Sequence, residues 1–196
     1  MAISARLKSF LDAAKIRYKT ATHPVAYTAQ EIAAAQHVSG RQVAKSVLVK
    51  TNQGPVLAVL PAIYLIDFKK LKALLRTNTV TIAKETDIKA AFPDVEVGAM
   101  SPFGHLYGVP VVVDRSLEAA EQIVFNAGTH TQTIAMRVGD FAGVVKPKLG
   151  HFAQVTVRPK PKVPTKKSQA SKPSRAKRTA KKPAARSRKR SSTTRR

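Results

Sequence analysis

Lys45 stands where strand physics would not place a cation. From Val43 to Lys50 the residues are β-branched or apolar enough to form a strand, in which alternate side chains point to opposite faces. One face is Val43, Lys45, Val47 and Val49; the other is Ala44, Ser46, Leu48 and Lys50. The valine face is the better candidate for the core. That puts an ammonium on a buried or half-buried surface, which is costly unless the charge has a partner. A phosphate or a carbonyl oxygen of a ligand would remove the cost. The plainer alternatives are that Lys45 reaches water from the strand's end, or pairs with a carboxylate.

Two further stretches could do chemistry beside it. Val97 to Pro110 carries three glycines and two prolines in 14 residues, a composition of tight turns and close backbone approach. The loop beginning at Gly98 offers bare backbone groups to a ligand, or is an ordinary surface loop. His130 directly follows a glycine turn, where it can bond a ligand, orient a neighbour or serve structure alone. Ser46 and Ser101 show no base-and-orienter pattern, and there is neither a Walker-type phosphate loop nor a G-x-S-x-G elbow. Hydrolysis here would need polarising charge, backbone dipoles and assistance from the substrate. His23, His37, His105, His130 and His151 share no helical face and there is no cysteine, so no metal site and no cofactor are expected.

The elements that position these residues read as a mixed set. Leu7, Phe10, Leu11 and Ala14 mark an amphipathic helix over Ser4 to Ala14, followed by a strand from Arg17 to Thr22. Thr28 and Glu31 form a capping-box pattern ahead of a helix over Ala29 to Gln36, stopped near Gly40. Thr51-Asn52-Gln53-Gly54 turns the Lys45 strand into a hairpin with Pro55 to Leu60. Asp67 caps a helix striped by Phe68, Leu71, Leu74 and Leu75, whose Lys69, Lys70 and Lys72 form a solvated face or a nucleic-acid contact. Short strands follow at Val80 to Ala83, Val111 to Val113, Gln122 to Asn126 and Thr131 to Val138. Helical segments fall at Glu85 to Phe92 and Asp140 to Val145, with a turn or helical segment at Asp114 to Ala120. Six or seven strands and four or five helices without strict βαβ alternation predict an α+β domain, a curled sheet flanked by short helices.

The charge distribution sets the domain plan. Of 35 Lys and Arg, 17 lie beyond residue 157, where none of the 11 acidic residues falls, so most of the net charge of +24 belongs to the end of the chain. The reading is a folded domain over 1–157 and a disordered basic tail over 158–196, which has no large apolar side chain after Val163. Lys166, Lys167, Lys177, Arg178, Lys181, Lys182, Arg188, Lys189 and Arg190 are its candidate nucleic-acid contacts. No secretory signal and no membrane-length apolar run are present, which predicts a soluble, cytoplasmic protein without a membrane partner.

In order, GRQVAKSVLVK, VLAVLPA (Val56 to Ala62), FPDVEVGAMSPFG (Phe92 to Gly104), LYGVPVVVD (Leu106 to Asp114) and FNAGTHTQTIAMRVGDF (Phe125 to Phe141) resemble the YbaK and prolyl-tRNA synthetase-associated domain family, over residues 1–150. The resemblance implies a mixed sheet partly closed into a barrel, and hydrolysis in trans of the ester joining a wrong amino acid to tRNA. Lys45 matches the family's essential lysine, which holds the terminal adenosine or the ester end. Gly98 and Pro102 match the ends of its G-x-x-x-P loop, and Gly128 and His130 its G-x-H turn. Lys45, Gly98 and His130 are thereby the catalytic candidates, and Ser46, Ala99, Met100, Ser101, Pro102, Gly128 and Thr129 the substrate-binding ones. The family uses no metal, the 2′-hydroxyl of the terminal adenosine assisting the water. Mischarged tRNA is the implied partner, with non-specific DNA or RNA at the tail and an aminoacyl-tRNA synthetase as further candidates. The competing reading is a non-catalytic nucleic-acid-binding protein that uses the domain as a tRNA-end binding module.

Overall fold

The alternation around Lys45 forms β2 (Ala44–Thr51), the second strand of a five-stranded sheet, in a computed structural model that describes residues 3–155. Its neighbours are β3 (Gly54–Pro61), reached through the expected turn, and β5 (Val80–Ile82); β6 (Val111–Asp114) and β9 (Lys148–Gly150) complete the order β5-β2-β3-β6-β9. The pairs β2–β3 and β2–β5 are antiparallel, whereas β3–β6 and β6–β9 are parallel. Gly54 closes the hairpin at φ +115°, a conformation that favours glycine.

Both faces of this sheet are covered, which corrects the expectation of a single valine core face. Ala44 and Leu48 join Leu57 and Val59 in the larger core on one side. Val49, Val56, Ala58 and Leu60 pack on the other, against Leu71 of α3 (Phe68–Leu75) and against Phe152. A strand buried on both sides needs no polar face, so its alternation is muted. The larger core is centred on Phe103, whose ring lies 6.0, 5.6 and 5.6 Å from those of Phe10, Phe125 and Phe141. Phe10 arrives on α1 (Ala5–Ala13) and Phe141 on α5 (Val138–Val145).

A second sheet, β1-β8-β7, pairs β1 (Tyr18–Thr22), β8 (Gln132–Arg137) and β7 (Gln122–Asn126) antiparallel. It meets the first where Val43 bridges Val124 in parallel, so the strands wrap without closing. α2 (Ala29–Ala35) lies over this junction, with Ile32 and Ala33 packed on Val43 and Val124. Its capping box is formed as expected: the Thr28 hydroxyl accepts from Glu31 N, and Glu31 Oε2 accepts from Thr28 N. Asp67 caps α3 through the amides of Lys69 and Lys70. α4 (Glu85–Ala91) precedes the Gly98 loop, and a short 3-10 turn follows it at Gly104–Tyr107.

The α+β class therefore stands, with ten strands among the described residues where six or seven were expected. The additional strands are β4 (Tyr64–Ile66), β9 and β10 (Ala153–Val155), each three residues long. β10 pairs antiparallel with β4, so strand structure continues past Pro147, beyond the last element expected from the sequence. The boundary at 157, the disordered tail and its nine named cations lie outside the described residues. Among those described, no helix is long and apolar enough to cross a membrane.

Asp114 holds this C-terminal segment in place. It is 2 % exposed; its Oδ1 accepts from Ser116 N at 2.9 Å and Ser116 Oγ at 2.5 Å, and its Oδ2 from Phe152 N and Ala153 N at 2.6 Å each. Burial alone would push the carboxyl up, but the bonds from Ser116, Phe152 and Ala153 outweigh it and hold its pKa below 3.8. A depressed carboxylate stabilises the fold fully above its unfolded pKa, and loses that contribution as pH falls through the folded one. Asp114→Ala leaves three amides and a hydroxyl without their acceptor and costs about 3 kcal/mol at pH 7. Urea unfolding should show the wild-type advantage constant from pH 7 to 5 and shrinking below about 3.8. An advantage that persists unchanged in acid would show that Asp114 is not the anchor.

Candidate active site

Lys45 is the second residue of β2, opposite Leu60 of β3, and its side chain is half-buried. Nζ donates to the carbonyl oxygens of Tyr64 and, at 3.5 Å, of Ala62. Both acceptors lie at the β3–β4 connection, so the partners are backbone dipoles instead of the carboxylate considered from sequence. Burial pushes the ammonium below its ordinary pKa of 10.5. Two carbonyls leave one N–H and the full positive charge available to a ligand.

The charge opens onto a cleft of about 180 Å³. Lys45, Ser46 and Val47 of β2 line it together with Gly98 and Met100 of the glycine loop. Asn126, at the end of β7, closes another side, and Tyr27, Ala29 and Ile32 bring α2 and its lead-in segment to the rim. Ser46 Oγ and Asn126 Oδ1 are buried without a protein hydrogen-bond partner. A buried polar atom left so costs about 1–3 kcal/mol, and a ligand bearing the complementary group recovers it. Polar demand and positive charge are thus concentrated where the walls are otherwise apolar.

His130 fastens the glycine loop. Its Nε2 lies 2.9 Å from Val97 O and its Nδ1 3.2 Å from Ala26 O, so one ring spans the loop and the segment before α2. Its backbone amide donates to Glu96 Oε2 at 2.8 Å, while Glu96 N donates to Gly128 O at 3.0 Å. The Tyr27 ring leans on the imidazole at 4.8 Å between centroids. With both ring nitrogens turned to backbone carbonyls, His130 acts as a strut and does not line the cleft. Gly98, at φ +91°, sits directly against it: a Cβ there would lie 3.4 Å from His130 Cε1. Gly128, at φ +105°, instead faces Ser4 at the start of α1, 3.1 Å from where its Cβ would be.

The residues selected from sequence therefore divide. Lys45, Ser46, Gly98 and Met100 surround one cleft. Ala99, Ser101, Pro102, Gly128 and Thr129 are buried and do not line it. Tyr27, Asn126 and Glu96 were missed. Tyr27 carried a usable signal, an aromatic directly ahead of a capped helix; Asn126 and Glu96 carried none. Among the described residues, no group of three or more His, Asp or Glu side chains is placed to hold a metal ion.

The α+β domain thus brings a lysine ammonium and a glycine loop to one small cleft. The chain is a member of the aminoacyl-tRNA editing domain family, whose model matches residues 23–143. Solved structures share the fold at low identity. A candidate trans-editing enzyme for prolyl tRNA synthetase superposes with a TM-score of 0.70 at 18% identity, over 77% of this chain and 96% of that one. A hypothetical protein gives a TM-score of 0.70 at 17% identity, over 76% of this chain and 99% of its own. A signal-transduction candidate from Marinobacter aquaeolei VT8 gives 0.59 at 17%, over 78% of this chain and 31% of that one. No curated protein matches the sequence.

Proposed function

We propose that this protein is a trans-acting aminoacyl-tRNA deacylase, which hydrolyses the ester between a misattached amino acid and the terminal ribose of tRNA. The observation that carries the reading is the Lys45 ammonium, held half-buried at the cleft by backbone dipoles and without a carboxylate partner among the described residues. In this reading Lys45 holds the terminal adenosine or the ester end. Ser46 Oγ and Asn126 Oδ1 meet polar groups of the substrate, and the Gly98 loop presents its backbone to the aminoacyl group and the attacking water. Water adds to the ester carbonyl carbon, assisted by the substrate's own 2′-hydroxyl. The carbon–oxygen bond to the ribose then breaks, and the ribose oxygen leaves with a proton that the water has supplied in net. Family membership and the fold shared with a candidate trans-editing enzyme support this activity.

A cleft of about 180 Å³ with Ala29, Ala44 and Met100 on its walls suits a small amino-acid side chain. Mischarged tRNA is the proposed partner. The basic segment beyond 157 would add affinity for its phosphates without reading sequence, and a synthetase is a candidate associate. The test is deacylation of alanyl-, seryl- and cysteinyl-tRNA by the full chain at low salt. Accelerated release from at least one is expected. If every aminoacyl-tRNA is left intact while tRNA still binds, the domain is a binding module and the deacylase reading fails.

A further inference from the structure

The face of β1-β8-β7 turned away from the Ile134 and Met136 side of the sheet carries three exposed cations. Lys19 of β1 pairs in register with Ala135 of β8, and Arg137 of β8 with Gln122 of β7. Arg17, two residues before Lys19, shares its face. Arg17, Lys19, Gln122 and Arg137 line a concavity of about 320 Å³, in which Asp140 is the only acidic residue among those described. A second concavity, of about 270 Å³, shares Lys19 and Gln122 and continues to Gln36, Gln42 and Thr133. Among the described residues, no carboxylate forms an ion pair with Arg17, Lys19 or Arg137.

We infer that these two adjoining concavities form one groove, a second substrate surface, which takes the phosphodiester backbone of the RNA upstream of the nucleotide held in the Lys45 cleft. Three cations grouped beside a single carboxylate, Asp140, and ion-paired to none among the described residues repel one another, and a polyanion reverses that repulsion. The amides of Gln36, Gln42 and Gln122 are donors of the kind that position nucleic-acid backbones without reading bases. The groove also leads to the cleft. Ile32 lines the cleft and Gln36 the groove, one turn apart on α2, or about 6 Å. Asn126, in the cleft, pairs in register with Thr133, in the groove, and Gln122 lies four residues back along β7, about 13 Å away. A chain whose end enters the cleft thus passes over the end of α2 onto the cationic strands.

The identity of the RNA as tRNA rests on the deacylase reading; the groove itself is tested by binding. The full chain carrying Arg17→Gln, Lys19→Gln and Arg137→Gln together is titrated with uncharged tRNA from about 50 to 200 mM salt. A chain carrying Lys69→Gln, Lys70→Gln and Lys72→Gln on α3 removes the same charge from another face. The groove variant should bind at least about tenfold more weakly, with its log–log salt slope reduced by about 2 to 3, while the α3 variant stays within about threefold of wild type. Wild-type affinity in the groove variant, or equal losses in both variants, overturns the groove. Hydrolysis measured in parallel separates the two readings. If no aminoacyl-tRNA is hydrolysed by wild type, the deacylase reading fails while the binding result still judges the groove. If hydrolysis proceeds and the groove variant keeps wild-type affinity and KM, the groove alone fails.

Discussion

Lys45→Met should lower kcat/KM for deacylation by about 10²- to 10³-fold while leaving the domain folded, because it removes the one charged side chain among the described residues that lines the cleft. Methionine retains most of the buried stem, so packing on β2 is little disturbed. The substitution also removes an ammonium whose burial is unfavourable, which offsets the loss of its bonds to Ala62 O and Tyr64 O. Thermal unfolding should accordingly move by no more than about 1 kcal/mol in either direction. A group needed for stability would lose both properties together; a group that serves the ligand loses only activity.

The pH dependence carries an independent sign. Lys45 is charged below its depressed pKa, so its contribution is full at neutral pH and declines as pH rises toward, and before reaching, 10.5. The ratio of wild-type to Lys45→Met rates should shrink on the alkaline side, after subtraction of the spontaneous ester hydrolysis that also accelerates there. A Lys45→Met protein that deacylates at the wild-type rate would remove Lys45 from the mechanism altogether.

Gly98→Ala should reduce kcat about 100-fold, although the added methyl group finds room. Its Cβ would meet His130 Cε1 at 3.4 Å, an ordinary contact; the obstacle is φ +91°, which an L residue adopts only at a cost of about 1–2 kcal/mol. Turning φ negative relieves the strain by moving the peptide between Val97 and Gly98, and with it the carbonyl that His130 Nε2 reaches at 2.9 Å. A displacement of about 1 Å at a catalytic loop is enough for a loss of that size. Gly54→Ala supplies the control, since Gly54 has φ +115° and open space around it. It lies at the hairpin turn beyond Thr51, about 20 Å along β2 from Lys45. Both variants should lose similar stability by urea unfolding, and only Gly98→Ala should lose rate. Equal activity in the two would show that the loop's backbone does not position substrate.

How much of this was legible follows from where each signal resides. Local chemistry carried through: the Thr28–Glu31 box, the Asp67 cap and the hairpin at Gly54 formed where their residue types require them. Lys45 could be singled out because a cation in an apolar strand conflicts with its surroundings at any register. The strand's burial on both faces was not legible, since it depends on α3 and Phe152, which approach from other parts of the chain. β4, β9 and β10 span three residues each, and unlike the equally short β5 they lack its β-branched run. Glu96 and Asn126 drew no notice because their meaning is a partner far along the chain, or the lack of one: Glu96 reaches the His130 amide and Asn126 Oδ1 has no protein partner.

The fastenings of the cleft share a property that bears on how its selectivity can drift. Lys45 is tied to the main-chain oxygens of Ala62 and Tyr64, and the His130 ring sits between those of Ala26 and Val97, donating to one of them. Every residue type offers such an oxygen, so exchanging a side chain at any of these four positions leaves the tie available. Residues that shape the walls, such as Ile32 and Met100, form none of these ties. Scaffold and contour are therefore separable: a lineage can resize the recess for a different amino acid through Ile32 or Met100 while the ammonium and the loop keep their places.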